Sequence, residues 1–138
     1  SSELQGHPDD EDFSVVLLSY RSPKSLRRTL ESLCVEAQIG AHLNFFEVVV
    51  YFQVFDSVKD TALVRDAIGP GGSAGCGRNG LPFRVIGSKE NLPVALATIA
   101  ALKSVQTKYV VYLECDRPVF SFSVSTPFQK NPSASVHF

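Results

Sequence analysis

Tryptophan and methionine are absent from the 138 residues, and cysteine and histidine each occur only three times. Cys34, Cys76 and Cys115 are odd in number and widely spaced, with no CxxC pair. That pattern argues against a disulfide framework or a zinc site and for buried or reduced thiols. His7, His42 and His137 have no neighbours that would make them ligands or bases, and they read as structural or surface residues. A dominant charge sign is lacking too. Thirteen Lys and Arg stand against fourteen Asp and Glu, a formal charge of −1, without the basic excess of a general nucleic-acid binder. No apolar run approaches the ~20 residues that span a bilayer, and no basic-then-apolar leader follows Ser1. Two readings of compartment stay open: a soluble cytoplasmic protein, or a Golgi or ER protein whose anchor precedes Ser1.

What is present suits one globular domain. The mass is 15.0 kDa, with 44% hydrophobic and 20% charged residues, near the globular average. Residues 1–12 hold five acids and no Lys or Arg, so residues 13–138 carry thirteen bases against nine acids, or +4. Such a balance suits a modestly anionic ligand. The acidic stretch 1–12 has nothing to bury and reads as a disordered tail.

Phe13-Ser-Val-Val-Leu-Leu-Ser-Tyr20 is an unbroken apolar run, the signature of a strand covered on both faces. Ser22 and Pro23 supply an N-cap and a first-turn proline. Leu26, Leu30, Leu33 and Ala37 then recur at helical spacing. Residues 45–54 predict a second buried strand. Ser57 with Asp60 resembles a capping box opening a helix to about Ile68, and the glycine-rich stretch 69–80 predicts a flexible loop. Residues 81–86 predict a third strand. Asn91 opens a helix to about Ser104, apolar on most sides and so expected to be well buried. Residues 108–113 predict a fourth strand. The expected fold is therefore α/β: a Rossmann-like parallel sheet, right-handed in its crossovers, with helices on both faces. Residues 119–138 show no clear period and predict an irregular, poorly packed extension.

In a parallel sheet, ligands bind at the carboxyl ends of the strands. Ser19-Tyr20-Arg21, Asp56-Ser57, Ser88-Lys89-Glu90-Asn91 and Glu114-Cys115-Asp116 all fall there. Polar loop ends are common, so this convergence is by itself a site candidate and no more. The glycine loop offers two nucleotide motifs and fulfils neither. Gly69-x-Gly71-x-x-Ala74 follows a helix instead of a strand, and Gly72-x-x-x-x-Gly77 leads into Arg78-Asn79 where a P-loop needs Lys and Ser or Thr. A surface loop is the better reading. Glu114-x-Asp116, directly after an apolar strand, has the oxygen chemistry that Mg²⁺ or Mn²⁺ prefers.

Taken together, residues 13–118 resemble the nucleotide-sugar half of the GT-A glycosyltransferases, especially the family-2-type group. Phe13 to Leu33 look like the opening strand, tyrosine-bearing turn and "SLxxTLxSL" helix of that group. Phe46-Glu-Val-Val-Val50 is similar to its second strand. Glu90-Asn91-Leu-Pro-Val-Ala-Leu-Ala97 resembles its asparagine-led helix, and Tyr109 to Asp116 its DxD-type strand. The resemblance implies a UDP- or GDP-sugar donor, a hydroxyl acceptor, and Mn²⁺ or Mg²⁺ on the diphosphate. Asp116 would be the metal-side carboxylate. Ser19, Tyr20, Arg21, Asp56, Lys89, Asn91 and Glu114 would border the nucleotide-sugar. Two departures stand out: the family's paired acids and Gly-Ser after the second strand are replaced by Gln53-Val-Phe-Asp56-Ser57, and the metal motif opens with Glu. The catalytic base is expected downstream, so residues 1–138 alone are expected to be inactive in transfer. A non-catalytic GT-A-like nucleotide-binding module is the first alternative. A GT-A-like nucleotidyltransferase is the second, although no Gly-rich, Arg- or Lys-bearing loop follows the first strand.

Overall fold

The computed structural model describes residues 8–19, 23–35, 44–114 and 128–129. The elements in chain order are β1 (Phe13–Ser19), α1 (Pro23–Val35), β2 (Phe45–Phe52), α2 (Ser57–Ile68), β3 (Phe83–Gly87), α3 (Val94–Lys103), β4 (Tyr109–Glu114) and β5 (Phe128–Gln129). They form one sheet in the order β3-β2-β1-β4-β5. The first four strands run parallel, and β5 pairs antiparallel with the start of β4. This is the expected α/β architecture with helices on both faces. The pairing of Phe128 and Gln129 is a difference from expectation, since that part of the chain shows no strand period. Two residues are too few to leave one.

β1 is buried at all seven positions because β2 and β4 flank it and helices lie above and below. Its alternating side chains serve two cores. Val15 and Leu17 meet Leu26, Leu30 and Leu33 of α1 and Val64, Ala67 and Ile68 of α2. Each fully buried leucine there contributes about 1.5–3 kcal/mol. Val16 and Leu18 meet Ala97 and Ala101 of α3 on the other face.

Here the sequence reading of α3 needs correction. Val94, Leu96 and Ile99 are exposed, and the helix fully buries only Ala97 and Ala101. Uniform apolarity leaves no polar face to mark the solvent side, so composition overstated the burial. The helix also starts later than Asn91: Pro93 is its N-cap, and no side chain caps it. The α2 cap is likewise shifted by one residue. Asp56, not Ser57, accepts from the Val58 and Lys59 N–H groups, while Asp60 accepts from the Asp56 N–H.

The amino ends of the strands are closed by polar contacts. Glu47 is 5% exposed and accepts from Arg84 Nε at 3.1 Å and Nη2 at 2.7 Å. Arg84 also donates to the Ser104 carbonyl at 2.8 Å. Thr107 donates to buried Ser14 at 2.9 Å. The glycine stretch lies at this same end, because it links the end of α2 to the start of β3. It is tied down more than its composition suggests. Ser73, Ala74 and Leu81 donate their N–H groups to the carbonyls of Asp66, Ala67 and Ile68, and Arg27 bonds Ser73. Cys76 forms a disulfide with Cys34 in the last turn of α1, with Cα atoms 4.8 Å apart. The expectation of reduced thiols is thus overturned for this pair. The two cysteines are 42 residues apart in sequence, and only the packing of α1 beside α2 brings them together. Cys115 lies outside the described residues.

Candidate functional site at the carboxyl edge

Strand register places the candidate segments level with one another. Ser19 is paired with Phe52, Phe52 with Gly87, and Leu18 with Glu114. Four strand ends therefore reach one edge together, neighbouring strands lying about 4.8 Å apart. The order β3-β2-β1-β4 reverses direction between β1 and β4, since β2 and β3 are laid down on one side of β1 and β4 on the other. In open α/β sheets generally, ligand crevices lie outside the strand ends that flank such a switch point. Ser19 and Glu114 end the two strands on either side of the switch point.

The described residues of the site fall into two groups. At the switch point, Ser19 is buried, and its carbonyl accepts from the Gln53 N–H at 3.3 Å. Glu114 closes β4. Tyr20, Arg21 and Asp116, expected here from sequence, lie outside the described residues. At the corners after β2 and β3, Asp56, Lys89, Glu90 and Asn91 are all exposed. Asp56 has one carboxylate oxygen committed to the α2 cap, at 3.1 Å from Val58 N and 3.0 Å from Lys59 N. That position also sets it at the helix N-terminus, where the unpaired N–H groups favour negative charge.

In the sequence Gln53 is marked only as a departure from the resembled family's pattern. In the structure its side chain bridges the two corners. Nε2 donates to the Leu92 carbonyl at 2.8 Å, and Oε1 accepts from the Leu92 N–H at 2.9 Å. The partner is backbone, 39 residues away, so no side-chain pattern could have announced it. The same corners share the bonds Ser88 N–H to Phe52 O at 3.1 Å and Phe55 N–H to Ser88 O at 2.8 Å. Ser88 Oγ adds a bond to Glu90 O at 2.6 Å. Gly87 permits this close approach, because a Cβ there would strike Phe52 O and Phe55 Cβ.

Among the described residues, no group of three or more His, Cys, Asp or Glu gathers as a metal cluster. No described helix is long and apolar enough to cross a membrane.

No protein-family profile and no curated protein matches the chain. Among solved structures it is similar to the glycosyltransferase TarS of S. aureus, residues 1–349, at 20% identity and a TM-score of 0.53. The likeness covers 78% of this chain and 28% of that one. At that identity the likeness is one of fold, and the chain spans little more than a quarter of the length it matches.

Proposed function

We propose that the chain is the donor-binding part of a glycosyltransferase, holding a UDP- or GDP-sugar across the carboxyl ends of β1 and β4. The observation that carries this reading is the switch point between those strands, with Glu114 paired to Leu18 and Ser19 one residue beyond. The glycosyltransferase-like fold supports it. In the site so read, Ser19 and Tyr20 border the base and ribose, Arg21 lies against the nucleotide-sugar, and Asp56 contacts the nucleoside through the carboxylate oxygen its helix cap leaves over. Lys89 and Asn91 face the anionic and hydroxyl groups of the donor. Lys89 is well suited, being an exposed cation at the edge, and a phosphate takes it as a point charge. Glu114 stands toward the ribose.

Carboxylate oxygens suit Mg²⁺ or Mn²⁺, which bind through one or two carboxylates together with substrate phosphates. Asp116 would hold the ion, with Glu114 two residues before it. When bound, such a cation neutralises charge building on the departing diphosphate. The chain's own groups orient the donor so that its anomeric carbon faces an acceptor hydroxyl, and positioning of that kind is a large share of catalysis. The acceptor wall and the base belong to sequence beyond the matched region.

Calorimetric titration with UDP and GDP, in Mn²⁺ and again in chelator, tests the proposal. Binding in the metal and its loss in chelator are expected. Asp116→Asn should weaken metal-dependent binding more than Glu114→Gln, and Cys115→Ser should leave it intact. Equal heats with and without metal, or no binding of either nucleotide, contradict the reading.

A further inference from the structure

We infer that Gln53 is a positioning residue: its side-chain amide locks the corner after β3 onto the corner after β2 and so fixes where Lys89 and Asn91 stand at the carboxyl edge. The inference rests on the donor-site reading for its functional consequence, and on the geometry alone for the lock. Gln53 Nε2 and Oε1 bond the carbonyl and N–H of the same residue, Leu92, at 2.8 and 2.9 Å. A primary amide is matched to a peptide group in this way because it offers one donor and one acceptor side by side. Glu has no donor when ionised, and Asn is a methylene too short. With both polar atoms engaged inside the chain, Gln53 acts on a ligand through the loop it holds.

A second, independent observation marks the same corner. Val54, the next residue, has φ of 51° and is 65% exposed. A β-branched residue in the left-handed region is strained and persists only where its surroundings impose it. The surroundings here are visible on both sides of it. The Gln53 N–H is held by Ser19 O and its side chain by Leu92, while the Phe55 N–H is held by Ser88 O at 2.8 Å. Neither neighbour can rotate to relax Val54 without breaking a bond to another strand's end. The ends of β1, β2 and β3 are thereby joined into one platform. Lys89, Glu90 and Asn91 occupy the short span between its two fixed points, Ser88 and Leu92.

The test compares wild type, Gln53→Glu and Gln53→Leu by amide hydrogen exchange of the free chain and by UDP and GDP titration in Mn²⁺. Glu keeps the shape of Gln while setting a negative charge against the Leu92 carbonyl. Leu removes both bonds without adding charge, and serves if the Glu variant folds poorly. Exchange over 88–92 should quicken in the variants by roughly tenfold or more, the effect of two lost hydrogen bonds. Exchange in β1 should stay as in wild type, and nucleotide affinity should fall by a similar factor. Unchanged exchange over 88–92 would overturn the lock, and faster exchange with unaltered affinity would overturn the positioning role. Failure of the wild type to bind either nucleotide would defeat the donor-site reading, while the exchange data would still decide the lock.

Discussion

At the amino ends of the strands, Glu47, Arg84, Ser14 and Thr107 are consumed by one another, whereas at the carboxyl ends Ser19 is buried and Gln53 engaged but Lys89, Glu90 and Asn91 stay exposed. Glu47 spends its carboxylate on Arg84, Thr107 its hydroxyl on Ser14, and Cys76 its thiol on Cys34. Across the sheet, Lys89, Glu90 and Asn91 are exposed, and order there comes from backbone bonds and from Gln53. One end therefore stabilises the fold, and the other leaves Lys89, Glu90 and Asn91 exposed for the proposed ligand. Substitutions of the consumed groups at the amino end should lower stability and spare nucleotide binding, while those of exposed Lys89 and Asn91 should weaken binding and spare stability.

The largest expected effect is at the staple. Cys76→Ser opens a closed segment of 42 residues and should lower unfolding stability by up to about 4 kcal/mol on chain-entropy grounds, measured by denaturant titration against the oxidised wild type. Glu47→Ala comes next. It strips Arg84 of its anion and should cost about 2–3 kcal/mol, below the range for a fully buried pair. Arg84 retains 32% side-chain exposure, so it recovers some hydration. Nucleotide affinity should be unchanged in both. A loss of binding in either folded variant would break the division between the two ends.

Asp56 sharpens the contrast, because it belongs to a helix cap and to the candidate site together. Asp56→Ala should cost about 1 kcal/mol of stability, the usual worth of an N-cap. Asp56→Ser keeps a capping oxygen and should restore most of that stability while leaving nucleotide binding weakened. Thermal melts and calorimetry on the two variants separate the roles. If Asp56→Ser binds like wild type, Asp56 is a cap alone. The smallest effect is Val54→Gly, which relieves the left-handed strain and should raise stability by about 1 kcal/mol, seen as a higher melting midpoint.

Much of this was legible in the sequence where local pattern decides structure. The unbroken run 13–19 gave away a central strand, and Leu26, Leu30 and Leu33 the buried face of α1. What stayed hidden depends on long-range contact. The Cys34–Cys76 bond and the Gln53–Leu92 lock join segments 42 and 39 residues apart, and neither pairing has a local signature. The exposed apolar face of α3 was hidden for another reason: Val94, Leu96 and Ile99 look the same in sequence whether a neighbour covers them or not. At the site, Ser19 falls where the opening strand implied and Asp56 at the corner after β2, whereas Asn91 proved not to cap α3.

The most direct measurement is a hydrogen-exchange difference map of the chain with and without UDP or GDP in Mn²⁺. Added protection is expected at 19–21, 53–57, 88–92 and 114–116, with none in the glycine-rich stretch 69–80. Protection confined to residues 69–80 would contradict that expectation, placing the nucleotide at the end of the sheet assigned here to stability.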